Sequence, residues 1–190
     1  MKVLAYLPEY AMLITAGLKD EEIRTVPTRI PKSPENRRFA IYASHSKPSR
    51  TNIEGCRQIL ENLGKLSPEI NTSLNSPMQG HILGIGSLVS CKEYTLLPFF
   101  MDRQEHHLNR PDQFASPCYG WQMVNVYTFQ NPIPFKFNNG AVIWSHIDDQ
   151  QIMSHIEKNE PEFNWDKPDH YLNESFHPKK QTYQKKLFQL

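Results

Sequence analysis

Apolar and polar positions divide this chain into short segments whose period changes repeatedly. Residues 2–6 are short and mostly apolar, which predicts a first strand. Pro8 suits the first turn of a helix, where its missing N–H costs nothing, and Glu9 favours the positive helix end. Ala11, Met12, Leu13 and Ile14 supply that helix with a buried side, and Gly17 ends it. Residues 39–43 read as a buried strand. The period then turns helical: Ile53, Cys56, Ile59, Leu60 and Leu63 share one face, with Arg50, Glu54, Arg57 and Glu61 away from it. Thr51 and Glu54 have capping-box spacing, with Ser49 and Asn52 as alternative caps, and Gly64 is the terminator.

Residues 67–79 hold three serines, two prolines and two asparagines, a loop composition. Residues 81–91 predict a strand carrying Gly84 and Gly86. With no third glycine and no following helix, they are not a dinucleotide fingerprint but mark a bulge or a spot where a ligand approaches the backbone. Residues 96–117 have no clear period and are expected to lie across one end of the fold. Residues 119–129 alternate and are rich in aromatic and β-branched side chains, as a strand should be, until Asn131-Pro132-Ile133-Pro134 is expected to break it. Asn138-Asn139-Gly140 signals a turn before a closing strand over 141–144. Short strands with two or three short helices predict an α+β, mixed β-barrel architecture. Asp148 then caps a helix bearing Ile152, Met153 and Ile156. Residues 159–190 read as an extended tail draped through Phe163, Trp165, Tyr171 and Phe176. The expected division is a domain over 1–146 and an extension over 147–190.

Composition narrows the function classes. The 190 residues are 38% hydrophobic and 22% charged with a net charge of +1, so nucleic-acid binding has to come from a local patch. Fifteen prolines against eight glycines imply many fixed loops. Three scattered cysteines, Cys56, Cys91 and Cys118, make neither a zinc site nor a disulfide framework. No leader pattern opens the chain, and no window reaches the roughly 20 apolar residues that span a bilayer. These points predict a reduced, cytoplasmic protein with no membrane association.

One stretch concentrates chemistry. Gly17, Lys19, Glu22 and Arg24 follow the first helix at G-x-K-x-x-E-x-R spacing. Glycine can turn the chain through the left-handed region. If the next piece is extended, Glu22 and Arg24 share a face, with Lys19 on the turn beside them. Two cations and one carboxylate suit a polar, partly anionic ligand; a solvated turn with a surface ion pair is the alternative. Residues 1–14 with this motif, followed in order by 39–44, 80–91 and 120–144, resemble ASCH domains of the PUA-like superfamily over residues 1–146.

That resemblance implies a PUA-like β-barrel whose motif lines a cleft between barrel and first helix, the proposed RNA or nucleotide site, working without a cofactor. Lys19 would contact phosphate or a base carbonyl, Arg24 would offer a planar fork, and Glu22 would accept from a base amino group or hold Arg24. Some small bacterial relatives hydrolyse N4-acetylcytidine, with a lysine matching Lys19 but a threonine nucleophile where Glu22 stands. Their acidic residue follows the central strand, where Asp102 and Glu105 are the local candidates. Others are proposed to cleave RNA, for which Lys19 and Glu22 are an acid/base pair. Catalytic candidates are therefore Lys19, Glu22 and Glu105, and ligand-binding candidates are Gly17, Lys19, Glu22, Arg24, Arg29 and Trp121.

Other features carry weaker chemistry. His106-His107 are adjacent and point apart, so they suit a single metal ion poorly. His45 follows a strand end. Cations at 29, 32, 37, 38, 47 and 50 make a candidate phosphate track, with Tyr119 and Trp121 as stacking residues or, for Trp121, as core. The lysine pairs at 179–180 and 185–186 are expected to be solvated. Three hypotheses follow: an RNA or nucleotide binder, a hydrolase of a modified nucleoside or RNA, and a protein-interaction adaptor using 96–117 and the tail. A deep pocket at Lys19 would favour a small ligand, and a groove flanked by Arg29, Arg37 and Arg38 an RNA strand. A closed cleft with exposed apolar surface elsewhere would favour the adaptor.

Overall fold

A computed structural model describes residues 1–138, 143–160 and 163. The lysine pairs near the C-terminus, the turn residues Asn139 and Gly140, residues 141 and 142 of the expected closing strand and most of the tail lie outside the described residues. The architecture is α+β, built on one mixed sheet of β1 (Lys2–Tyr6), β2 (Glu21–Arg24), β3 (Arg38–Ala43), β4 (His81–Tyr94), β5 (Cys118–Pro134) and β6 (Trp144–His146). Its order is β2-β5-β4-β3-β1-β6, with β1 and β3 parallel and the other pairs antiparallel. Among the described residues β2 and β6 do not pair, so the expected barrel is an open, strongly curled sheet.

Side chains bridge the gap that the backbone leaves. Arg24 on β2 donates through Nη2 to the Ala5 carbonyl on β1, and Trp121 on β5 stacks on Trp144 of β6 with centroids 5.9 Å apart. Both pairs join strands from opposite ends of the sheet order. Leu4, Tyr6, Phe39, Ile41, Leu88, Trp121 and Met123 fill the concave side. Val3, Ala40, Tyr42, Ile82, Ile85 and Phe129 pack on the other.

Helix α1 (Pro8–Thr15) is buried along its whole length, which explains why its sequence is apolar on nearly every side. Ala11 and Ile14 face the concave core, while Tyr10, Met12 and Leu13 face the helical layer. Gly17 has φ +70°; its N–H reaches the Ile14 carbonyl and Leu18 N–H the Leu13 carbonyl, a double bond pattern that ends the helix and reverses the chain. The helical layer is α2 (Arg50–Asn62) and α3 (Pro68–Asn75). Ser49 is the cap of α2, accepting from Asn52 N–H, and Ile53, Cys56, Ile59 and Leu60 are buried as their spacing predicts. Leu63, expected on the same face, is exposed.

Three segments differ from expectation. Residues 67–79 contain α3: Ser67 caps it, Pro68 starts it, and Ile70 and Leu74 bury the face they share. Residues 96–117 hold α4 (Leu97–Met101), α5 (Gln104–His107) and a 3₁₀ turn at Pro111–Gln113, bringing the helices well above the two or three expected. Finally, β5 continues through Pro132 to Pro134. Strand β2 covers β5 only from Tyr119 to Gln122, so beyond it one edge of β5 has no strand that needs proline's missing N–H. Gly84 sits opposite this stretch, where a Cβ would come 2.1 Å from the Tyr127 carbonyl. It marks a close approach of protein backbone rather than of ligand.

Helix α6 (Asp149–Asn159), capped by Asp148, lays Ile152 and Ile156 on the convex side of the sheet. The buried Glu160 at its end accepts from Gln130 N–H (2.7 Å), Asn131 N–H (3.2 Å) and the Tyr127 hydroxyl (3.0 Å). Phe163 packs edge-on against Tyr127.

Candidate nucleic-acid interface

The turn at Gly17 drops Lys19 beside the start of β2, and β2 alternation puts Glu22 and Arg24 on one face. The three charges form a chain. Lys19 Nζ lies 3.3 Å from Glu22 Oε2, and Glu22 Oε1 lies 3.3 Å from Arg24 Nη2. Their side chains are 0%, 9% and 19% exposed, a gradient from core to rim.

Lys19 is enclosed. Its ammonium donates to the carbonyls of Glu21 (2.5 Å) and His107 (2.7 Å), meets Glu22, and lies 4.8 Å over the Tyr10 ring. Three acceptors and an aromatic face replace the water that burial removed. Arg24 is also engaged, with its guanidinium 5.6 Å from the Tyr6 ring and 5.8 Å from the Trp121 ring. Its Nε is buried and has no acceptor among the described residues.

Residues at the x positions of the motif, which carried no role in the sequence reading, clamp the 96–117 segment over Lys19. Asp20 binds His106 Nδ1 at 2.9 Å, and its N–H donates to the His106 carbonyl. Glu21, 2% exposed, accepts from the Tyr94 hydroxyl (2.6 Å) and from Arg103 (3.1 Å). The buried His107 ring donates from Nε2 to the Phe100 carbonyl, accepts at Nδ1 from Asn109 N–H, and stacks on Phe100. Burial holds its imidazole at about 3, well below the ordinary 6.5. It is a packed, neutral histidine. Burial likewise pushes the Cys56 thiol up to about 12 and the Tyr6 hydroxyl well above its usual range.

The other candidates fall elsewhere. Glu105 is half exposed on α5 and pairs with Lys65 (3.6 Å), not with Lys19. Asp102 is exposed at the end of α4. Among the described residues no group of three or more His, Cys, Asp or Glu is placed to hold a metal ion. His45 is exposed, its ring lying over Gly80. Tyr119 donates to Glu93. Trp121 is 1% exposed and donates from Nε1 to the Val26 carbonyl, so it is core.

A groove opens beyond the Trp121–Trp144 stack, at the rim where β1, β3 and β6 begin or end. It has a volume of about 400 Å3. A much smaller cleft of about 40 Å3 shares Lys2, Pro31, Asn36 and Arg38 with it and adds Arg29, Arg37 and Trp144. Glu35 and Asp149 stand on the outer wall. Arg37 braces the loop, donating to the carbonyls of Pro31 (2.8 Å) and Lys32 (3.1 Å). Arg29 and Lys2 are exposed. Lys2 and Trp144 were missed in the sequence, where nothing local separates a rim tryptophan from a core one.

Among solved structures the chain is similar to ASCH from Zymomonas mobilis. Its crystal structure matches with a TM-score of 0.49 and 14% sequence identity, covering 83% of this chain and 94% of that one. A tyrosine-to-phenylalanine and a serine-to-alanine mutant of the same ASCH match with the same score and identity, covering 97% and 95% of their chains. No family model and no curated protein matches the chain. Among the described residues no helix is long and apolar enough to cross a membrane.

Proposed function

We propose that this chain is an RNA-binding module that takes a strand along the rim groove, using the cationic side chains of Lys2, Arg29 and Arg38. The observation that carries this reading is the groove itself, a depression of about 400 Å3 continuous with a cleft flanked by Arg29, Arg37 and Arg38. Phosphate attraction is local here, since the whole chain carries a net charge of only +1. The sequence resemblance to ASCH domains supports the same class of ligand. Lys19, Glu22 and Arg24 lie on the other side of the Trp121–Trp144 stack from this groove, with Arg24 the most exposed of the three. In this reading they hold β2 and the curled sheet in place and do not themselves meet the strand.

A titration of labelled single-stranded RNA into the full chain at two salt concentrations tests this. Binding should weaken as salt rises. The Arg29→Ala, Arg38→Ala double variant should bind several-fold less tightly at unchanged thermal stability. Salt-independent binding, or no effect of the double variant, would count against the groove.

A second reading has one observation in its favour. Leu96 and Phe99 are 55% and 56% exposed, an apolar surface on the segment that closes over Lys19. If no RNA binds, this surface makes a protein-interaction role the better one.

A further inference from the structure

Trp144 is held in an unusual way. Its ring stacks on buried Trp121 at 5.9 Å and 17°, and Phe39 meets it edge-on at 6.0 Å, so its position is fixed from within. Over the same ring, 5.6 Å from its centre, sits the ammonium of Lys2. Trp121 is 1% exposed, Trp144 is half-buried and Lys2 is exposed, and Lys2 and Trp144 line the same small cleft, so the ammonium sits where that cleft reaches the ring. The cap is one flexible chain on a rigid platform. A cation over an aromatic face at an exposed position is weakly held, and a planar base presents a larger matching surface.

The flanking chemistry fits what is attached to a base. Arg29 and Arg38 line the cleft that contains Trp144, and Lys2 lines both the cleft and the wider groove. We propose that Trp144 is a stacking platform for one unpaired base of a single-stranded nucleic acid. The base displaces the Lys2 ammonium from the ring, and Lys2 then meets the adjacent phosphate beside Arg29 and Arg38. The proposal rests on the RNA-binding reading and specifies its substrate: single strands, because bases paired in a duplex do not expose a face to a side chain at the rim. The stack adds affinity with little sequence preference, since every base offers a π-face.

The test compares three labelled probes on the wild-type full chain at one salt concentration: a short single-stranded RNA, its duplex, and an abasic ribose-phosphate oligomer of equal length. The single strand should bind roughly tenfold or more tightly than either of the others, the size that one base–aromatic stack carries. Trp144→Leu should erase that margin and Trp144→Phe should restore part of it, with circular dichroism melts confirming that both fold. Lys2→Ala should keep the margin while reducing the dependence of log affinity on log salt by about one. If the abasic oligomer binds as tightly as the full strand, stacking at Trp144 is overturned while phosphate binding in the groove stands. If none of the probes binds the folded protein, both this inference and the RNA-binding reading fall. Because the decisive comparison uses the unmodified protein, a Trp144 variant that fails to fold does not leave the question open.

Discussion

Two cationic regions lie on either side of the Trp121–Trp144 stack, and they use similar residues for different ends. On the inner side Lys19, Glu22 and Arg24 are buried or half-buried and committed to one another and to backbone carbonyls. On the outer side Lys2 and Arg29 are exposed at a groove. The inner charges have exchanged water for fixed protein partners, so losing one leaves the others unmatched in a dry setting. The outer charges keep their water and can exchange it for a ligand at small cost. Spacing of charges in sequence finds both regions but does not tell them apart. Enclosure does.

The largest break in this comparison is Lys19→Ala. Removing the ammonium leaves Glu22 and two carbonyls facing a void, and stability should fall by about 3–5 kcal/mol. A urea unfolding curve measures it, with Arg29→Ala, expected within about 0.5 kcal/mol of wild type, as the contrast. Equal losses for the two variants would mean that the regions do not differ as described. Next in size is Arg24→Ala, which unpairs the Ala5 carbonyl where the curled sheet fails to close and should cost about 1–3 kcal/mol. A melt unchanged by this substitution would show that the gap is held by the tryptophan stack alone.

The smallest effect, read over pH 6.5 to 5, is a pH dependence of the inner side of about 1.5 kcal/mol. His107 titrates at about 3 in the folded chain and near 6.5 when unfolded. The unfolded state therefore binds the proton first. Its contribution to stability is full above about 6.5 and is lost progressively as pH falls toward about 3, with a slope of about 1 kcal/mol per pH unit. Urea curves between pH 6.5 and 5, where few carboxylates titrate, should show the decline. A flat profile there would place His107 in water.

Much of the fold was legible where local signals agree. Strands β1, β3 and β4, the helix stopped at Gly17 and the buried face of α2 follow from period and capping alone. Helix α3 was hidden because its polar residues resemble a loop, although Ser67-Pro68 and the four-residue spacing of Ile70 and Leu74 mark it. Pro132 and Pro134 looked like an end to β5 because the sequence does not disclose how far β2 extends alongside. At the site, the i,i+2 relation of Glu22 and Arg24 and the nearness of Lys19 were readable; the clamping of 96–117 over Lys19 was not. The carbonyl of His107 is 88 residues from Lys19, and such a contact has no local trace. The tryptophans could not be separated for the same reason: the sequence left Trp121 open between stacking and core and gave Trp144 no role, whereas Trp121 is core and Trp144 lines the rim cleft, a matter of sheet curl rather than of neighbours in sequence.

A curled sheet that stops short of closing has bare backbone to offer other copies of itself, the usual seed of aggregation. Here the terminal strands are only four and three residues long, which leaves little template for an incoming chain. Past the end of β2, prolines remove donors from β5, and where its register with β4 slips, the Glu160 carboxylate takes up the N–H groups of Gln130 and Asn131. The same irregularities that obscure β5 in the sequence thus leave few free donors there for intermolecular strand addition, and Glu160 contributes by occupying two of them.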